Sequence, residues 1–193
     1  MMIGLCRHVI ENDKLTRSCK GPSIAPGREI AGKTVGIIGM GAIGQRTAAL
    51  AQAFGCKVIA WNRTPKKVAG VTFVDKETLL KESDILTLHI ALNNDTRNFL
   101  TANDFAMMKP TAVVVNAARG PVVNTMDLAE ALNKGVIAGA ACDVYDVEPP
   151  LKEDNPLLGA PNTLLLPHIG FATKEAFEAR LGIVVENVIG FLG

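Results

Sequence analysis

The 193 residues carry 20 Lys and Arg against 19 Asp and Glu, and 48% of them are hydrophobic. This length fits one large domain with enough apolar material for a substantial core. The net charge of +1 gives no electrostatic footprint for nucleic acid or an acidic membrane surface, and aromatic residues at 5% offer no stacking platform for bases.

Residues 1–10 are apolar but include Arg7 and His8, and no small-residue cleavage site follows. The segment is too short and too polar to span a bilayer or to serve as a signal peptide. Met2, Leu5, Cys6 and Val9 recur at helical spacing, which predicts a helix before the chain turns polar towards Lys20. Gly21, Pro22, Pro26 and Gly27 mark a loop. The four cysteines, Cys6, Cys19, Cys56 and Cys142, form no C-x-x-C pair, so neither a metal site nor a disulfide framework is expected. Free thiols suit a reducing compartment, and a cytoplasmic location is expected.

Beyond Gly32 short apolar runs alternate with amphipathic stretches. Strands are predicted at 34–38, 57–61, 85–89, 112–116, 138–142 and 163–166, nearly continuously apolar as parallel strands covered on both faces should be. Helices are predicted at 44–54, 76–82, 103–108, 125–134 and 173–191. Thr101 with Asp104 resembles a capping box. Asn124 and Thr173 are candidate N-caps, and Gly135 is a helix stop. The alternation implies an α/β fold, a doubly wound parallel sheet with right-handed crossovers. The stretch 143–162 is a long, Pro-rich loop of the kind that often carries function.

The first strand runs into Gly39-Met40-Gly41-Ala42-Ile43-Gly44. A G-x-G-x-x-G between a strand and a helix, trailed by a second strand, is the context of a Rossmann-type dinucleotide-binding domain. Gly39 permits the tight turn, Gly41 lets the backbone approach a pyrophosphate, and Gly44 allows close helix–strand packing. The helix N-terminus then presents N–H groups and a positive dipole end to the phosphates. The second strand ends at Trp61, so Asn62 stands where an acidic residue would bond the adenosine ribose of NAD. Here Asn62-Arg63-Thr64 follows, with Lys66 and Lys67 close behind. Asn62 removes a carboxylate that would repel a 2′-phosphate, and Arg63 supplies a charged fork to hold one, which favours NADP over NAD. The alternative is a solvated basic loop in which Asn62 still bonds the ribose.

Three further motifs end strands: Val115-Asn116-Ala117-Ala118-Arg119-Gly120, Asp143-Val144-Tyr145-Asp146-Val147-Glu148-Pro149 and Leu166-Pro167-His168-Ile169-Gly170. Open α/β sheets place ligands at that edge. An Arg, a carboxylate and a His converging there suit hydride transfer to a carbonyl. His89 also ends a strand near this edge and is read as structural.

With these motifs in this order, the sequence resembles the D-isomer-specific 2-hydroxyacid dehydrogenase family, which includes glycerate, phosphoglycerate, hydroxypyruvate/glyoxylate and D-lactate enzymes. Met107-Met108-Lys109-Pro110, Gly139-Ala140 and Leu88-His89-Ile90-Ala91-Leu92 fit the pattern, although the family usually has Pro where Ala91 stands. The resemblance implies that Arg119, Glu148 and His168 are catalytic. It implies that Asp143 contacts the nicotinamide end of the cofactor, and that Ala42, Ile43 and Ala117 lie against the cofactor. Glu148 separates the chain from the formate dehydrogenase branch, which has Gln there. The implied reaction is reduction of a small 2-keto acid and its reverse, with NADP or NAD as cofactor and a homodimer as the assembly.

Family members carry a second, substrate-binding domain, and about a third of a typical member has no counterpart in these 193 residues. The expected organisation is therefore 1–27 as the remnant of an inter-domain helix and linker, 28–172 as the dinucleotide-binding domain, and 173–193 as a C-terminal helix returning towards a largely absent substrate domain. That leaves a rival of another class, a non-catalytic dinucleotide-binding or dimerisation module. The Arg119, Glu148 and His168 set favours the enzyme.

Overall fold

Strands that are apolar on both faces must be sandwiched between helices, and this requirement shapes the molecule. The computed structural model describes residues 1–21, 26–64, 66–148 and 150–192; Pro22 and Pro149 of the loop and motif above lie outside them. Seven strands, β1 (Thr34–Ile38), β2 (Lys57–Trp61), β3 (Val71–Phe73), β4 (Ile85–Leu88), β5 (Val113–Asn116), β6 (Gly139–Cys142) and β7 (Thr163–Leu165), form one sheet. The order is β3-β2-β1-β4-β5-β6-β7, and every pairing is parallel. The chain winds outward from β1 to β3, then returns past β1 to start the other half at β4. The crevice between β1 and β4 is thus a topological switch point.

Six strands fall where the apolar runs place them. The seventh, β3, is absent from the sequence reading. It is three residues long, at the sheet edge, and half-buried rather than covered on both sides, so it has no continuous apolar run to announce it.

The described residues form seven α-helices: α1 (Met2–Cys6), α2 (Val9–Arg17), α3 (Ala42–Ala53), α4 (Lys76–Glu82), α5 (Ala102–Ala106), α6 (Thr125–Asn133) and α7 (Lys174–Leu192). Alternate strand residues feed two cores. Val35, Ile37, Val58, Ala60, Val113 and Val115 pack with Leu5 of α1 and Ala48 and Ala51 of α3. Ile38, Ile59, Leu86, Leu88 and Val114 pack on the other face with Leu79 of α4, Phe105 of α5 and Leu128 of α6. The expected caps are present. The Asp104 carboxylate accepts the Thr101 N–H at 2.8 Å, the Asn124 side chain accepts the Asp127 N–H at 3.1 Å, and the Thr173 hydroxyl accepts the Ala176 N–H at 3.1 Å. Gly135 ends α6 with φ of 65°.

The N-terminal segment differs from the reading of one helix through Met2, Leu5, Cys6 and Val9. His8, with φ of 49°, breaks it into α1 and α2. Leu5 and Cys6 are buried in the core while Val9 is exposed, so these residues do not form one apolar face. The polar run Glu11 to Lys14 leaves α2 with no buried residue. Exposed apolar surface, present here at Ile3, Val9 and Ile10, is more extensive along α7, whose 19 residues bury nothing. Among the described residues, no helix is long and apolar enough to cross a membrane.

Candidate active site

The carboxyl edge of the sheet collects the sequence motifs from the strands that carry them. After β1, Gly39 takes φ of 96°, and a Cβ on Gly44 would meet the Gly39 carbonyl oxygen at 2.1 Å. Those two glycines are steric requirements of the turn itself. Gly41 differs, since a Cβ there would meet nothing within 4 Å, which leaves open space over the first turn of α3. No side chain caps α3, and the first N–H groups of a helix have no intrahelical partner. Ala42 and Ile43 are exposed beside them. Uncapped donors, a positive dipole end and open space fit the diphosphate of a dinucleotide.

After β2, Asn62 is engaged within the protein. Its Oδ1 accepts the Met40 N–H at 3.1 Å and its Nδ2 donates to the Thr64 carbonyl at 2.6 Å. It ties the β2 loop to the glycine-rich turn, and Lys66 adds a bond from Nζ to the Met40 carbonyl at 3.2 Å. Arg63 is exposed, with its guanidinium 3.7 Å from the Asp95 carboxylate. These residues line a cavity of about 390 Å³ with Trp61, Thr64 and Phe99, which places Asn62, Arg63 and Thr64 together as expected. Asp95, thirty-two positions along the chain from Arg63, is a member that the sequence reading missed; the local pattern around it carries no sign of the approach.

At the end of β4, His89 is half-buried and its Nε2 lies 3.2 Å from the Thr87 hydroxyl. Burial pushes its pKa down from 6.5 to about 4, so it is a neutral group near pH 7, in keeping with a structural role.

After β5, the Asn116 side chain clamps the turn. Its Oδ1 accepts the Ala118 N–H and its Nδ2 donates to the Arg119 carbonyl, both at 3.1 Å. Ala117 and Arg119 are exposed on that turn, and the Arg119 guanidinium donates to the Ala118 carbonyl at 2.6 Å. A Cβ on Gly120 would meet the backbone of Tyr145 at 2.0 Å. That close approach brings the Arg119 turn against the loop that carries Glu148.

After β6, Asp143 is buried. Its two carboxylate oxygens accept the N–H groups of Ile169 (2.8 Å) and Gly170 (2.7 Å). The Tyr145 hydroxyl donates to the Leu166 carbonyl at 3.0 Å; burial pushes that phenol up to about 12, so it remains a donor. Asp143 and Tyr145 therefore grip the chain on either side of His168. In this grip His168 has φ of 57°, a left-handed conformation that costs a side-chain-bearing residue energy and is held by its surroundings. Its Nδ1 lies 2.9 Å from Glu148 Oε1, and the Tyr145 N–H donates to Glu148 Oε2 at 3.2 Å. The Phe171 ring meets the imidazole edge-on, centroids 5.7 Å apart. The grip of Asp143 and Tyr145 on this turn is not legible in the sequence motifs.

A His–carboxylate pair on the same sheet edge as an exposed Arg and an open helix N-terminus has the groups to move a proton and to bind an anion. The family model described as D-isomer specific 2-hydroxyacid dehydrogenase, NAD binding domain, matches residues 1–170. A glyoxylate reductase of Thermococcus litoralis is 40% identical over 203 residues, covering 99% of this chain and 61% of the relative. The crystal structure of D-lactate dehydrogenase with NAD+ from Lactobacillus jensenii superposes with a TM-score of 0.86 at 32% identity, covering 97% of this chain and 62% of that one. An acyclic imino acid reductase in complex with NADPH and D-Arg gives a TM-score of 0.90 at 34% identity, covering 100% and 62%. The chain thus spans about three fifths of the length of the relatives it matches.

Proposed function

The chain belongs to the D-isomer specific 2-hydroxyacid dehydrogenase family, and we propose that its site moves a hydride between a nicotinamide cofactor and a small 2-hydroxy or 2-keto acid. The observation that carries this reading is the 2.9 Å contact between His168 and Glu148, made at the sheet edge that also holds Arg119. When bound, the cofactor supplies the hydride in reduction and accepts it in oxidation. Arg119 turns from the Ala118 carbonyl to the substrate and binds its carboxylate and carbonyl oxygens through charge-assisted bonds. His168, as imidazolium, protonates the alkoxide oxygen as the carbonyl carbon gains the hydride, so that one hydride and one proton convert C=O into CH–OH. In oxidation His168 removes the same proton. Glu148 orients the imidazole through Nδ1, leaving Nε2 for the substrate.

NADP is the favoured cofactor. Asn62 presents no carboxylate where a 2′-phosphate would sit, and Arg63 and Lys66 border the same cavity. The chain acts as a homodimer in the cytoplasm; the exposed apolar residues of α7, among them Phe177, Leu181 and Val184, and four free cysteines support these two points.

A second reading, a dinucleotide-binding and dimerisation module without turnover, is favoured by the same unburied α7. Steady-state reduction of glyoxylate and hydroxypyruvate, measured beside calorimetric binding of NADPH and NADH, separates the two. Turnover lost on His168→Gln supports the enzyme; cofactor binding with no turnover supports the module.

A further inference from the structure

We infer that Asp95 sets how strongly the site discriminates between NADP and NAD, by competing with a 2′-phosphate for Arg63. The inference rests on the reading of Arg63 as the 2′-phosphate contact. Arg63 comes from the loop after β2 and Asp95 from the turn after β4, and both line the cavity of about 390 Å³. The turn that carries Asp95 is fixed by bonds that do not use its carboxylate. Asn93 Oδ1 accepts the Asp95 N–H at 2.9 Å, the Thr96 hydroxyl accepts the Asn93 N–H at 2.8 Å, and that hydroxyl donates to the Ala91 carbonyl at 2.7 Å. The carboxylate is thereby held at the cavity rim, 3.7 Å from the Arg63 guanidinium.

A separation of 3.7 Å between exposed groups is a loose ion pair, worth little and easily exchanged. A 2′-phosphate carries about two negative charges. To bind, it must take Arg63 from Asp95 and then sit near a carboxylate of the same sign. An unphosphorylated ribose leaves the pair undisturbed. Asp95 therefore weakens NADP binding selectively and narrows the preference that Arg63 creates.

The test measures dissociation constants of NADPH, NADH and 2′,5′-ADP by calorimetry at low ionic strength, where exposed charges are least screened. The full chain is compared with Asp95→Asn, Asp95→Lys, Arg63→Ala and the Arg63→Ala/Asp95→Asn double variant. Asp95→Asn is expected to tighten NADPH and 2′,5′-ADP about two- to fivefold, the range of an exposed ion pair, with NADH unchanged. Asp95→Lys tightens them further, and the effect of Asp95→Asn disappears without Arg63. If Arg63→Ala weakens NADPH selectively while both Asp95 variants leave the NADPH to NADH ratio unchanged, the role of Asp95 is overturned and the Arg63 reading stands. If Arg63→Ala weakens both cofactors equally, the Arg63 reading and the role of Asp95 fail together.

Discussion

His168 Nδ1 lies 2.9 Å from Glu148 Oε1, although His168 holds a left-handed backbone conformation with φ of 57°. The two facts have one cause. The carboxylate of Asp143 draws in the N–H groups of Ile169 and Gly170, which bends the chain just past His168 and aims its ring at Glu148. The strain is offset by charge-assisted bonds, each stronger than a neutral one. The result is an imidazole with a defined orientation before any substrate arrives.

The pair makes a graded prediction for kcat. Glu148→Gln retains a hydrogen-bond acceptor for Nδ1 and should lower kcat less than Glu148→Ala, which leaves the imidazole without the partner that orients it. Steady-state kinetics of both variants beside the parent check this; equal losses, or none, mean that Glu148 does not position His168.

Arg63 predicts cofactor selectivity. Arg63→Ala should cost about 1.5–3 kcal/mol with NADPH, the scale of a hydrogen bond to a charged group, and little with NADH. Calorimetric titration of both cofactors is the measurement, and an equal loss for both would sink the assignment.

His89 predicts acid sensitivity of the fold. Burial holds its pKa at about 4 in the folded chain against 6.5 for the free group. Between those values the unfolded chain binds a proton that the folded chain does not, so stability falls as pH drops from about 6.5 to about 4. The loss approaches about 3 kcal/mol once pH is below both values. Urea unfolding of the parent and of His89→Asn across this range should show a shallower decline in the variant. Parallel curves would mean that His89 contributes nothing to it.

Asp143→Ala should destabilise the chain by about 1.5–3 kcal/mol, because two backbone N–H groups lose a charged acceptor. It should also lower kcat, since His168 immediately precedes them. Urea unfolding with kinetics measures both. Destabilisation below about 0.5 kcal/mol, the scale of an ordinary surface change, would show that the Ile169–Gly170 turn does not depend on Asp143.

What the sequence discloses here depends on whether the signal is local. Val35 to Ile38 and Val113 to Val115 announce central strands, because burial on both faces demands an unbroken apolar run. Gly39 and Gly44 announce the cradle, because the turn's sterics leave few other residues allowed there. The edge strand at Val71, half-buried, sends no such signal. The break at His8 is hidden because a left-handed residue other than glycine follows from packing of Leu5 and Cys6, not from its own side chain. Arg119, Glu148 and His168 are legible as candidates by their places after strands. Their support is not: Gly120, Asp143 and Tyr145 meet backbone atoms far along the chain, and Asp95 reaches Arg63 across a cavity that only the folded chain has.

The central claim is that His168 is the acid–base group of a hydride-transfer site. The most direct test follows loss of NADPH absorbance with glyoxylate and hydroxypyruvate for the parent chain and His168→Gln, beside NADPH binding to each. The account predicts turnover by the parent and a kcat about 10²- to 10⁴-fold lower in the variant, the range for losing a general acid. NADPH affinity should be unchanged, because the residues proposed to hold the phosphates, Gly39 to Gly44 and Arg63, follow β1 and β2, whereas His168 follows β7. Equal turnover by the two proteins would contradict the claim.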